Sequence, residues 1–298
     1  VISLIYILRI ARHLNIQGNI ATALLIIVGL TPSFLLFTPL TFREVFQLLG
    51  LVGGIYFAYE AFSGKSLVSL FVSSGFYIFM GIFHHVLLAL SFVLILITTV
   101  FYFLHSGTPK KIIIKNIFVS TIAILAVGYI IVVKIPAGAG NDYLIMLRDS
   151  GGIVKMVDKY RSTIDKSIPR SSYGFKVDTT SPTGTGYGLA LSYMYYLYGP
   201  GIHTVEKSID LVVALNSFGR ILVSLLLLYL LIIRVKMPDG LGYLLIVYFS
   251  VTAMWSLGTT NYGQAFRHNS LTDWILAVVL VIGIQGLINS KNRSTSRT

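Results

Sequence analysis

The chain has 298 residues, of which 55% are hydrophobic and 11% charged, with a mean hydropathy of +0.81 and a formal net charge of +12. Soluble domains carry about 25% charged residues, so this composition excludes an ordinary soluble enzyme. The absence of cysteine excludes disulfides and thiolate chemistry. The basic excess comes without a basic-aromatic patch suited to nucleic acid, so it reads as membrane topology and contact with anionic headgroups.

The apolar runs are long enough to be helical spans rather than barrel strands, which predicts an all-α polytopic membrane protein. Val1–Leu8 reads as the end of one span, and the expectation is that further sequence precedes it. Arg9, Arg12 and His13 follow at helical spacing. The next predicted spans are Ile20–Phe37, Val45–Phe62, Leu67–Phe83, Val86–Phe103 and Ile117–Val133. A polar insertion runs from about Lys134 to Ser208. Three further spans follow, Ile209–Ile233, Leu241–Leu257 and Leu271–Ile288. The expectation is thus about eight complete transmembrane helices plus one partial N-terminal helix. Residues 1–133 form the first group, 134–208 a large loop, and 209–298 the last group with its tail.

Alternating the spans sorts the short-loop cations. One side collects Arg9, Arg12, Lys65, Lys110, Lys111, Lys115, Arg234, Lys236, Lys291, Arg293 and Arg297, and the other only Arg43 and Arg267. Lys and Arg concentrate in cytoplasmic loops, so the first side and the C-terminus are expected to be cytoplasmic. The outer side then receives Arg43-Glu44, His84-His85, the large loop and Arg267-His268.

In that loop a flexible start, Pro136–Gly140, precedes a helical stretch over Tyr143–Ile164. Arg170 and Tyr173 flank a Ser/Tyr run. The Gly184-Thr185-Gly186-Tyr187-Gly188 run belongs to no strand-linked dinucleotide-binding motif and reads as a flexible loop. Leu189–Tyr198 is too short to span and rich in tyrosine, so it reads as an interfacial or re-entrant helix.

Polar groups near hydrocarbon are costly and usually line a cavity or pair with one another. Arg220 lies about 16 Å into its predicted helix at 1.5 Å per residue. Asn216 sits one turn above it on the same face, with Asp210 further up. Arg220 is either a ligand contact or a structural pair with a polar group on another span. The turn Gly258–Asn269 carries Asn261, two glycines, Arg267 and His268. An Arg fork matches phosphate geometry, and a histidine can move protons near neutral pH. An interfacial anchor is the competing reading of Arg267-His268, and a helix start that of Arg43-Glu44. His84-His85 has no fixed carboxylate partner and does not make a metal site. Nucleophile elbows, P-loops, dinucleotide-binding units and zinc motifs are all missing from the sequence.

These residues together resemble the bacterial O-antigen and exopolysaccharide polymerases and ligases. The shared features are many spans, one large outer loop with Arg and Tyr, an Arg part-way down the following helix, and an Asn-x-Gly-x-x-x-Arg-His turn (Asn261, Gly263, Arg267, His268). The resemblance covers about residues 35–290. It implies metal-independent glycosyl transfer, without cofactor, from a polyprenyl-pyrophosphate-linked glycan to a glycan acceptor at the outer face of the bacterial inner membrane. Other polysaccharide-assembly proteins are possible partners on this reading. It further implies Arg267, Arg220, Arg170 and Arg43 as pyrophosphate contacts and His85, Asn261 and Tyr173 as further glycan contacts. His268, His84 or Glu44 would be the proton acceptor. Two other readings stay open. A multi-span lipid-phosphosugar glycosyltransferase would need acidic residues in its first outer loop. A transporter or flippase would need broken spans in corresponding halves. Pro32 lies inside Ile20–Phe37, but no counterpart is evident in the sequence.

Overall fold

A computed structural model describes residues 1–37, 42–105, 172–173, 177–178, 181–201 and 205–295, with the side chains of 37, 42, 85, 86 and 289–295 excepted. These residues are helical throughout, apart from short connections and one isolated antiparallel bridge between Ser172 and Asn261. In chain order the helices are α1 (Ile2–His13), α2 (Gly18–Leu30), α3 (Pro32–Phe37), α4 (Phe42–Gly64), α5 (Leu67–Ile82) and α6 (His85–His105). After the large loop come α7 (Pro182–Tyr198), α8 (Ser208–Ile232), α9 (Leu241–Gly258), α10 (Tyr262–Asn269) and α11 (Asp273–Thr295).

Four of these, α4, α6, α8 and α9, are long and apolar enough to cross a membrane. The pair α10 and α11, bent by 64° at its break, makes a fifth if counted as one span. Helices α2 and α5 are apolar but shorter. The predicted span Ile117–Val133 and the loop helix Tyr143–Ile164 lie outside the described residues.

Sequence sets where several helices begin. Ser66 caps α5 by accepting the Ser69 N–H at 3.2 Å, and Ser181 caps α7 by accepting the Gly184 N–H at 3.0 Å, with Pro182 at the first helical position. That start overrides the cost of glycine, and the predicted flexible run Gly184–Gly188 is helical instead. The glycines have a packing reason. A Cβ on Gly184 would lie 2.4 Å from Asp178 Oδ2, and one on Gly188 2.7 Å from Val177 Cγ1, so their bareness lets residues 177–178 lie against the helix. Helices α4 and α5 press together in the same way. A Cβ on Gly54 would lie 2.4 Å from the Tyr77 ring.

Among the described residues the core is one large apolar cluster, with a small second one of Ala61, Leu70 and Tyr102, threaded by a few polar contacts. Tyr77 and Tyr243 meet hydroxyl to hydroxyl at 2.6 Å, and Tyr243 also meets Thr98 Oγ1 at 2.8 Å, which satisfies three buried hydroxyls and ties α5, α6 and α9.

The bundle has two distinct ends. At one end His13 meets Glu60 at 3.0 Å, Tyr59 OH donates to the Gly240 carbonyl at 2.8 Å, Tyr102 OH donates to the Lys65 carbonyl, and Gln285 donates to the Asn15 carbonyl. This end gathers Arg9, Arg12 and Lys65 with the α8–α9 turn that carries Arg234 and Lys236. The other end holds α3, α10, the start of α4 and the α5–α6 turn. Among the described helices, Arg43 and Arg267 thus lie at the end away from Arg9, Arg12, Lys65, Arg234 and Lys236.

Helix α7 inserts among the others. Tyr193 OH meets Thr252 Oγ1 at 3.0 Å, Ser192 donates to the Ser256 carbonyl, and Tyr198 OH donates to Ser224 Oγ at 3.2 Å. Its second half thus meets α8 part-way along its length and α9 over its last two turns.

Candidate functional site

The end opposite the basic loops carries two polar clusters. The outer one joins α4, α9, α10 and the α5–α6 turn. Arg267, in the last turn of α10, donates from Nε to Glu44 Oε1 at 2.7 Å and from Nη2 to the same oxygen. Arg43 Nη2 stands 3.7 Å from that oxygen. Glu44 is buried, whereas Arg267 and Arg43 are roughly a third and a half exposed. One carboxylate thus holds two guanidiniums that still reach the surface, leaving a net positive charge there. The His268 ring lies flat on Trp255, with centroids 3.7 Å apart, and His84 meets the same indole edge-on at 5.0 Å.

Several sequence-selected residues therefore meet here: Arg43, Glu44, His84, Arg267 and His268. Trp255 was not selected, because an aromatic residue near the end of an apolar run carries no signal of its own. Gln47 follows Glu44 by one turn on the same helix face and is buried. Gln47 Nε2, Trp255 Nε1 and Thr260 Oγ1 are buried polar atoms with no hydrogen-bond partner among the described residues. Buried polar groups of this kind are ordinarily satisfied, so they mark polar ground beside the cluster.

The inner cluster is built on Arg220. Its Nε donates to Asp273 Oδ1 at 3.0 Å, its Nη2 to Asp273 Oδ2 at 3.3 Å, and its Nη1 to the Leu197 carbonyl at 3.3 Å. Ser33 Oγ donates to Asp273 Oδ2 at 2.5 Å and Asn216 Nδ2 to the same oxygen at 3.3 Å. Arg220 and Asp273 are both about 5% exposed. Of the two sequence readings of Arg220, the geometry favours the structural pair with Asp273. Its partner went unselected because Asp273 sits inside an apolar run, 53 positions away in sequence. Asp210 does not join it. It accepts the N–H groups of Glu206 and Lys207 at the start of α8 instead.

Two further expectations are revised. Asn261 is the cap of α10, with Oδ1 accepting the Gln264 N–H at 2.9 Å, so its acceptor is committed to the backbone. Tyr173 is buried among Tyr195 and Tyr262, with centroids 5.7 and 5.0 Å away, and its N–H donates to the Thr260 carbonyl at 3.0 Å. It pins the loop to the start of α10 rather than presenting a ring to a sugar. Arg170 lies outside the described residues, as does the side chain of His85, the first residue of α6.

The breaks in the helices also meet. The predicted span Ile20–Phe37 is interrupted at Thr31-Pro32, where proline removes a donor and restricts the residue before it. A second break separates α10 from α11. Ser33 and Asp273, at the two breaks, bond to one another. The sequence reading found no counterpart to Pro32. The counterpart is a capped short helix, which proline and glycine do not announce.

Comparison with protein families, with curated proteins and with solved structures returned no match.

Proposed function

We propose that this protein joins polyprenyl-pyrophosphate-linked glycan units at the outer face of a bacterial inner membrane, acting as a polymerase or ligase without a metal. The observation that carries this reading is the convergence of Arg267, Arg43 and Glu44 with His268 and His84 at the end of the bundle opposite the basic loops. An acceptor hydroxyl attacks the anomeric carbon of the lipid-linked glycan. The bond from that carbon to the pyrophosphate oxygen breaks, and polyprenyl pyrophosphate leaves. Arg267 and Arg43 offset the charge developing on it. His268 or His84 takes the hydroxyl proton. Glu44 aims Arg267, and the Arg220–Asp273 tie positions the α10–α11 break beneath it.

On this reading the large loop lies outside and the C-terminus in the cytoplasm. A cysteine replacing Tyr187, which is 72% exposed on α7, should react with an impermeant maleimide before the inner membrane is opened. Reaction only after permeabilisation would invert the topology.

Transport of the same lipid-linked glycan is the second reading, favoured by the two helix breaks that meet at Ser33 and Asp273. The glycans of cells lacking the gene separate the readings. Lost polymer with complete single units on lipid at the outer face supports joining. Complete units stranded on the cytoplasmic face support transport. Units one sugar short would instead indicate a glycosyltransferase that builds the repeat.

A further inference from the structure

The opposite, basic end of the bundle holds a second site, unrelated to the joining chemistry. The ends of α1 and α4 flank an open cavity of about 330 Å³ lined by Arg9, Arg12, His13, Tyr56 and Glu60. Arg9, Arg12 and His13 fall at i, i+3 and i+4 and so share one face of α1. The Arg9 guanidinium stands 5.4 Å above the Tyr56 ring, and its Nη1 donates to Tyr56 OH at 3.4 Å. Tyr6 stacks on the Tyr56 ring, with centroids 5.1 Å apart, which steadies Tyr56. The one lining carboxylate, Glu60, is engaged by His13 at 3.0 Å, and His13 in turn stacks on Tyr59 at 5.7 Å. Among the described residues neither Arg9 nor Arg12 has a carboxylate within ion-pair distance. The cavity therefore keeps two exposed guanidiniums, one of them held by an aromatic wall, beside a single carboxylate that is hydrogen-bonded to His13.

The flank of the same helix is apolar and open. Ile2 and Ile5, one to two turns before Arg9, are 58% and 46% exposed. In a chain with helices long enough to span a membrane, that face meets acyl chains. A ligand suited to both parts has a phosphate above and hydrocarbon alongside. Basic pockets between membrane helices bind lipid headgroups in this way, and paired guanidiniums suit phosphate oxygens better than ammonium groups do.

We propose that this cavity binds the phosphodiester headgroup of a membrane phospholipid, with Arg9 and Arg12 holding the phosphate oxygens and the acyl chains lying along Ile2 and Ile5. The site does not depend on the function proposed for the other end, nor on which leaflet faces it.

The test uses the full chain purified in detergent, with phosphatidylglycerol, phosphatidylethanolamine and inorganic phosphate as separate probes. Binding is read by native mass spectrometry and by the shift in thermal unfolding. The expected result is retention of phosphatidylglycerol by the wild type and a loss of affinity of about a hundredfold in R9Q/R12Q, about tenfold for each phosphate contact removed. R9K/R12K, which keeps both charges, should retain intermediate binding and so report that the variants fold. Equal retention of phosphatidylethanolamine would keep the phosphate contact and show that the rest of the headgroup is not read. A shift with inorganic phosphate as large as that with lipid would overturn the lipid assignment. Equal lipid retention by R9Q/R12Q and wild type would overturn the site.

Discussion

Replacing Arg267 with alanine should abolish long-chain glycan, with a fall in chain extension of about a hundredfold or more. Removing one donor that stabilises a developing oxyanion typically costs that much. The side chain sits in the last turn of α10, is about a third exposed, and is held by Glu44 while reaching outward. Two effects have to be kept apart, because Arg267→Ala also strips a buried carboxylate of its closer partner. Arg43, at 3.7 Å, is a weak substitute. The double variant Arg267→Ala/Glu44→Gln removes the stranded charge and should restore accumulation without restoring chain extension. Product length on gels, normalised to membrane-bound protein, reads both. Normal long-chain product from a well-accumulated Arg267→Ala protein would take Arg267 out of the reaction.

The second large effect is on folding. Asp273→Ala should deplete folded protein from the membrane, since it leaves the Arg220 guanidinium about 5% exposed with no carboxylate. Breaking a buried pair from one side costs about 3–5 kcal/mol, whereas replacing both partners with apolar groups is often nearly neutral. Arg220→Leu alone should be similarly damaging, and Arg220→Leu/Asp273→Leu should recover most of the loss in detergent thermal unfolding. The double variant also decides what the pair is for. If it folds and still extends glycan, the pair is structural. If it folds and is inactive, Arg220 returns to the list of ligand contacts. Single variants as stable as wild type would contradict the buried tie itself.

The parts of this fold written in local sequence were legible. Apolar length gave the helices around Val45–Phe62, Val86–Phe103, Ile209–Ile233 and Leu241–Leu257. Sorting Lys and Arg set Arg9 and Lys65 apart from Arg43 and Arg267, and among the described residues these pairs lie at different ends of the bundle. That sorting brought Glu44, His84 and His268 into one neighbourhood before any geometry was known. What stayed hidden depends on contacts across the chain. Arg220 is visible as an intramembrane charge, but its partner is 53 positions away and looks like one acid in an apolar run. Gly184 and Gly188 look like loop until residues 177–178 are seen lying against them. Asn261 looks like a ligand contact until it is seen capping α10, a role open to any Asn before a helix. The bend between α10 and α11 has neither proline nor glycine at residues 270–272, so sequence punctuation could not mark it.

The most direct measurement is reconstitution. The purified protein would be placed in liposomes with polyprenyl-pyrophosphate-linked repeat units and no other protein, and both glycan length and released polyprenyl pyrophosphate would be followed. The expected result is a ladder of longer glycans, with one polyprenyl pyrophosphate released per new linkage and both signals lost in Arg267→Ala/Glu44→Gln. Units that cross the bilayer with no new linkage and no released lipid would contradict glycosyl transfer and make the protein a transporter.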